Sequence, residues 1–277
     1  MSSSSPSRVS QMAAIVLVVT LVVGLVWYWT TAVRRSARQR WQWPPPALLN
    51  TRDSWPSWRC VNRDPWIGRC ETVISEADCD ALLRVPRDET DWHRSPVVTS
   101  QPSVDSHDAS RTSSTCYLTE PSVLSSRDPA TWAWVQTLRH RLANLVGLPE
   151  SHMEPLQLVR YHAGQEYRPH YDFFQVQQAS GRQCMKRGGN AGQRTATLFV
   201  YLSDAPADLS GGTHFPLLGM TQAPAKGAGI LFSNLTPNAR DETQTDGRVL
   251  HAGLPVGQGI KYGCNVWFRW RPFHPHK

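Results

Sequence analysis

The stretch LQLVRYHAGQEYRPHYDFF, residues 156–174, constrains this chain more than any other. Leu156, Leu158 and Arg160 alternate with Gln157, Val159 and Tyr161, the period of a β-strand whose successive side chains face opposite ways. After a turn at Ala163-Gly164, a second extended segment ends in His170-Tyr171-Asp172. Residues two apart on a strand share a face, so His170 and Asp172 can aim an imidazole and a carboxylate at one point. One nitrogen and one oxygen ligand suit a borderline divalent metal such as Fe(II), if a second histidine completes a facial triad. The pair alone is weak evidence in a chain with ten histidines.

The tail strengthens it. RVLHAGLPVGQGIKYGCNVWFRW offers His251 as the third ligand and Lys261 beyond it. Three protein ligands leave open metal positions for a co-substrate and dioxygen. A dianionic co-substrate needs a cation at the far end of its pocket, and a lysine supplies one as a point charge.

The runs RTSSTCYL (residues 111–118), VRYHAGQEYRPHYDFF, QRTATLFVYLSDA, GGTHFP, ILFSNL and HAGLPVGQGIKYGCNVWFRW occur in one order over roughly three quarters of the chain. In them residues 58–270 resemble the catalytic domain of prolyl 4-hydroxylases, Fe(II)- and 2-oxoglutarate-dependent dioxygenases. The resemblance implies an α+β, mainly β fold: a double-stranded β-helix, or jelly-roll, core with helices backing one sheet. It implies Fe(2+), 2-oxoglutarate and O2 as cofactors, with ascorbate, and a peptide or protein substrate hydroxylated at proline. It also implies that Lys261 pairs with the distal carboxylate of 2-oxoglutarate, helped by the hydroxyls of Tyr161 and Thr197. Trp267 and Arg111 are candidates for the pocket wall. The family usually has glycine where Ser210 stands, which leaves the turn before His214 open. Two alternatives are a dioxygenase of the same fold acting on another residue type or a small molecule, and a non-catalytic membrane-anchored binding module. The presence of all three ligands and Lys261 argues against the module.

Upstream, residues 1–11 are a Ser-rich polar leader, and residues 12–33 carry no charge. A helix of that length, at about 1.5 Å per residue, crosses the roughly 30 Å hydrocarbon core of a bilayer. Trp27, Tyr28 and Trp29 resemble an interfacial aromatic belt. The expectation is a retained single-pass anchor, longer than the apolar part of a cleaved signal peptide. Arg34, Arg35, Arg38 and Arg40 after the span favour a cytosolic C-terminal side. Anchored members of the resembled family face the lumen of the endoplasmic reticulum, and the lumenal orientation is the one expected here. Residues 34–57 read as a basic, Pro-rich spacer. The net charge of +7 comes with no nucleic-acid motif, so no nucleic-acid partner is expected.

The expected domain covers residues 58–272, with a short tail at 273–277. Six cysteines in an oxidising compartment suggest one or two bridges, with Cys60–Cys70 geometrically possible. Ser75 and Asp78 read as the N-cap and third helical position of a helix that buries Cys79. Residues 88–110 read as a long loop in which His93 and His107 are solvated. Residues 129–146 repeat Trp134, Leu138, Leu142 and Leu145 at helical spacing, with His140 structural. Residues 175–194 show no apolar period and read as a connection, either plain or a flap beside the metal. Residues 195–202 and 227–232 read as strands, and 260–270 as a closing strand pair. Asn234-Leu235-Thr236 is formally a glycosylation sequon, but Pro237 directly after it argues against occupancy.

Overall fold

Residues 194–201 and 260–269 are apolar or β-branched on both faces, as strands in the middle of a sheet should be. The computed structural model describes residues 20–24, 41–45, 48, 58–97, 109–119, 129–204 and 210–275. The chain divides into two compact units, Met1–Trp41 and Gln42–Lys277. In the first, residues 20–24 are helical and exposed. The rest of the expected span at 12–33 lies outside the described residues. No helix among the described residues is long and apolar enough to cross a membrane.

Among the described residues the second unit carries twelve strands in two antiparallel sheets. The larger contains β1 (Arg59–Arg63), β2 (Trp66–Cys70), β3 (His93–Arg94), β4 (Ser114–Leu118), β5 (Leu156–His162), β7 (Arg194–Tyr201), β10 (Gly229–Ser233) and β12 (Ile260–Arg269). Their order is β1-β2-β10-β7-β12-β5-β4-β3. The smaller is β6 (Tyr167–His170), β11 (His251–Gly253), β8 (Thr213–Phe215) and β9 (Met220–Gln222), in the order β6-β11-β8-β9. Phe215 from the small sheet packs with Ile67, Tyr201, Ile230 and Phe232 from the large one, so the apolar core fills the space between the two. This is the mainly β, two-sheet architecture expected of a jelly-roll.

Three α-helices among the described residues accompany the sheets. α1 (Glu76–Leu83) begins with the expected capping box, Ser75 accepting from the Asp78 amide and Asp78 returning to the Ser75 amide, and it buries Cys79. α2 (Pro129–Val146) occupies the expected residues, but its buried stripe is Val135, Leu138, Leu142, Ala143 and Val146. Trp134 is only half-buried because it lines the groove where α2 meets Ala81 and Arg84 near α1. Asp78 and Arg141 pair across the same two helices at 3.0 Å.

Several local expectations are corrected. Residues 179–190 form a helix, α3 (Ala179–Asn190), interrupted at Arg187, Gly188 and Gly189 by non-helical backbone. Only Gly181, Cys184 and Gly188 are buried on it, so no apolar period marks it in the sequence. Gly181 sits against the Gln175 backbone, where a Cβ would lie 2.1 Å from a carbonyl oxygen. The closing segment is one ten-residue strand, β12, rather than a pair. Within residues 111–118, Arg111 bridges to Tyr167 of the small sheet, and Ser114–Leu118 then joins β5 in the large one. All six cysteines are free. Cys60 faces Gly68 across the β1–β2 ladder, which leaves Cys70 beyond reach further along its strand. Trp43, expected in the spacer, packs edge-on against Trp66 with ring centroids 5.8 Å apart.

Candidate metal centre

β6 ends at His170, so Asp172 lies in the bend beyond it and not on the strand as expected. The bend still brings the two side chains together. His170 pairs in register with His251 across β6 and β11, on the inner wall of the small sheet. His170 Nε2 is 3.8 Å from Asp172 Oδ1, and His251 Nε2 is 3.7 Å from Asp172 Oδ2. One ligand atom from each residue lies within 4.8 Å of the others.

Each imidazole is held by its other nitrogen. His170 Nδ1 donates to the Arg168 carbonyl at 2.9 Å and His251 Nδ1 to the Val249 carbonyl at 3.0 Å. That tautomer leaves both Nε2 lone pairs pointing at the shared point, the arrangement that orients metal-binding histidines. Burial holds the His170 imidazole well below its ordinary pKa, with the neighbouring His251 acting the same way, so it stays neutral. Burial opposes the charge on Asp172, yet His251, His170, Arg194 and the Thr197 hydroxyl together hold its carboxyl down at about 2. Two imidazole nitrogens and one carboxylate oxygen, with no further protein ligand among the described residues, fit an Fe(II) centre with open positions.

Aromatic rings box the triad. Tyr167 stacks on His170 with centroids 3.4 Å apart, and Phe232 and Phe215 lie 5.0 and 5.8 Å from His251. Thr197, expected to assist a distal carboxylate, donates its hydroxyl to Asp172 Oδ2 at 2.8 Å. Asn234 in turn donates to Thr197 Oγ1 at 3.0 Å. Asn234 is fully buried, which closes the sequon to any glycan.

Lys261 lies on β12 opposite Tyr161 of β5. It is 3% exposed and has no carboxylate partner among the described residues; its Nζ sits 5.1, 5.3 and 5.7 Å from the rings of Tyr161, Phe199 and Tyr201. Burial lowers its pKa from 10.5 to about 7. A lysine buried without an acid is costly in an isolated fold and signals an anionic ligand. Tyr161 is buried beside it. Trp267 stands in register with Thr197, and Arg194 lies 3.4 Å above its ring. Arg111 is buried with its guanidinium 4.7 Å from the Tyr167 centroid.

Sequence reasoning missed Tyr167, Asn234 and Arg194 as parts of this site. Tyr167 could have been found from its place on the His170 strand. Asn234 was read through its sequon pattern, which concealed its buried role.

A model of the 2OG-Fe(II) oxygenase superfamily matches residues 156–269, a range that contains the triad and Lys261. "Probable prolyl 4-hydroxylase 3" of Arabidopsis thaliana is 30% identical over 253 residues, covering 84% of this chain and 77% of that protein. The chain belongs to the prolyl 4-hydroxylase family. "Probable prolyl 4-hydroxylase 6" of the same plant is 30% identical, covering 74% of this chain and 69% of its own length. Viral collagen prolyl hydroxylase from Paramecium bursaria Chlorella virus-1, solved as a 2OG complex, aligns with 25% identity over 76% of this chain and 98% of its own, at a TM-score of 0.49. The cofactors of this family member are Fe(2+), 2-oxoglutarate and O2.

Proposed function

We propose that the chain is a prolyl 4-hydroxylase that hydroxylates proline in a peptide or protein, and that residues 12–33 anchor it in the membrane of the endoplasmic reticulum with the catalytic domain in the lumen. The observation that carries the enzymatic part is the convergence of His170, Asp172 and His251 within 4.8 Å, in a fold that also buries Lys261 with no acid partner among the described residues. The metal would be held by His170 Nε2, His251 Nε2 and an Asp172 oxygen. Lys261 would receive the distal carboxylate of 2-oxoglutarate, with Tyr161 beside it. When bound, iron supplies the oxidative chemistry: 2-oxoglutarate becomes succinate and carbon dioxide, one dioxygen atom entering succinate and the other the substrate C–H.

The protein's own contribution is placement. The Arg168 and Val249 carbonyls fix the histidine tautomers, and Thr197 holds Asp172 beside the two imidazoles, where the three would take the metal. Phe215 and Phe232 exclude water from the His251 side. The anchor rests on the uncharged run and on the family resemblance; the arginines that follow it pull the other way. The test incubates the full chain with Fe(II), 2-oxoglutarate and a panel of proline-containing peptides, measuring succinate and peptide mass. Succinate release coupled to oxygen gain on proline supports the reading. Oxygen gain on a different residue type replaces the substrate while keeping the chemistry.

A further inference from the structure

Asp172 sits in a bend that no strand holds. β6 ends at His170, and the chain joins no strand again until Arg194. Asp172 and Phe174 are nevertheless both buried. Backbone N–H and C=O groups buried in such a bend must find partners outside the strand ladder.

Phe174 finds both partners in one side chain. Gln193 Oε1 accepts from the Phe174 amide at 2.6 Å, and Gln193 Nε2 donates to the Phe174 carbonyl at 2.8 Å. The carboxamide stands in for a peptide group and makes both bonds of an antiparallel rung. Its Oε1 also takes the Arg194 amide at 3.0 Å, and the whole residue is buried.

Gln193 is itself fixed through its backbone. Its amide donates to Glu242 Oε2 at 2.8 Å, and its carbonyl accepts from the Trp270 amide at 2.8 Å. Both terminal nitrogens of Arg271 donate to Glu242 Oε1 at 2.9 Å. Gly192 precedes it at φ +78°, where a Cβ would run into the Glu242 carboxylate. The Phe174 ring lies 5.0 and 4.9 Å from the guanidinia of Arg194 and Arg269. Thr197 therefore holds the Asp172 carboxylate, and Gln193 holds the backbone two residues beyond it. With the hydroxyl alone, the carboxylate could still swing with its loop.

Resting on the triad as the metal site, we propose that Gln193 is a positioning residue for the metal, whose carboxamide orders the Asp172 bend before the metal binds. Leucine would fill the volume and supply neither bond. Asparagine is one methylene too short. A glutamate carboxylate would accept from the Phe174 amide but oppose its carbonyl oxygen.

The experiment uses the full chain. Zn(II) affinity is measured by competition with a chelator, and hydrogen exchange over residues 171–176 is followed without metal. Losing an outer partner of a metal ligand weakens binding about ten- to a hundred-fold. Gln193→Leu should show that loss and Gln193→Asn a smaller one, with faster exchange over 171–176 in both. Leu82→Ala, which opens a cavity under α1, should lower Tm and keep the wild-type affinity. Weakening of equal size in Leu82→Ala would make the effect one of stability and overturn the role. Slow exchange over 171–176 in the metal-free wild type supports it. Free exchange there overturns it without any variant, because the metal and not Gln193 would then order the bend. His170→Ala separates the two readings. If it keeps wild-type affinity, the triad fails and this role with it. If it loses the metal while both Gln193 variants keep it, the positioning role alone is overturned.

Discussion

Replacing Lys261 by methionine should stabilise the ligand-free protein and abolish its response to 2-oxoglutarate. Burial takes this lysine from 10.5 to about 7, so at neutral pH the fold either holds a desolvated ammonium or has given up its proton. At about 1.36 kcal/mol per tenfold change in proton affinity, that difference amounts to roughly 4 kcal/mol at pH 7. Methionine has nearly the same reach, no charge, and aromatic neighbours in Tyr161, Phe199 and Tyr201 that suit its sulfur. Recovering most of the cost should raise Tm by roughly 10 °C for a domain of this size.

The sign with pH follows from the same lowered pKa. Between about 7 and 10.5 the unfolded chain binds a proton that the folded chain does not, so wild-type stability rises with pH across that window. Lys261→Met should lack this slope. Wild type should also gain about 2.7 kcal/mol from 2-oxoglutarate at a hundred times its Kd, and the variant none. Because the dianion requires the protonated amine, wild-type affinity for 2-oxoglutarate should fall as pH rises above about 7. The assay is thermal unfolding of both proteins from pH 6 to 10, with and without 2-oxoglutarate. A variant that melts below wild type without ligand, or that is still stabilised by 2-oxoglutarate, refutes the reasoning.

Other consequences are equally direct. His170→Ala, Asp172→Ala and His251→Ala should each lose bound iron and succinate release, and wild-type turnover in any of them would remove that residue from the triad. Thr197→Val removes the 2.8 Å hydrogen bond to Asp172 and should weaken iron binding about tenfold or more, measured by competition with a chelator. Thiol labelling of the native chain should modify Cys60, the one exposed cysteine among the six, and denaturation should expose all of them; a missing thiol after denaturation would reveal a disulfide. A tag after Lys277 should resist protease on intact microsomes, and its digestion without detergent would put the domain in the cytosol.

The parts of the fold legible in the sequence are those whose signal is local. β5 shows its period in Leu156, Leu158 and their neighbours, and α1 announces its start in Ser75 and Asp78. The His170 and Asp172 pairing was readable as spacing, although the bend after β6, not a continued strand, delivers it. α3 was not readable, because it packs through two glycines and a cysteine instead of an apolar stripe. Nor was the split role of residues 111–118, since the crossing from one sheet to the other depends on Tyr167, far along the chain. Thr197 carried a pattern that fixed its place on β7 but not its partner. Its hydroxyl could face Lys261 or Asp172, and only the packed sheet decides between them.

That decision shows how the site divides its polar groups. Asp172 must stay ionised inside a buried site, and burial alone would push its proton affinity upward. Two imidazoles, Arg194 and a hydroxyl reverse that, so the carboxylate is ready for a metal before any metal arrives. Lys261 receives no such support. Its surroundings are aromatic rings, and the fold leaves its charge unbalanced. The contrast separates a group prepared by the protein from one completed by its ligand. A metal ligand has to be oriented and ionised in advance, because a carboxylate that rotated or protonated would lose affinity at every binding event. A co-substrate that is consumed in each turnover is better held by a cation whose cost in the empty site is offset only while the dianion is bound. On that logic the same barrel wall can hold iron through many cycles and still take up a fresh 2-oxoglutarate in each of them.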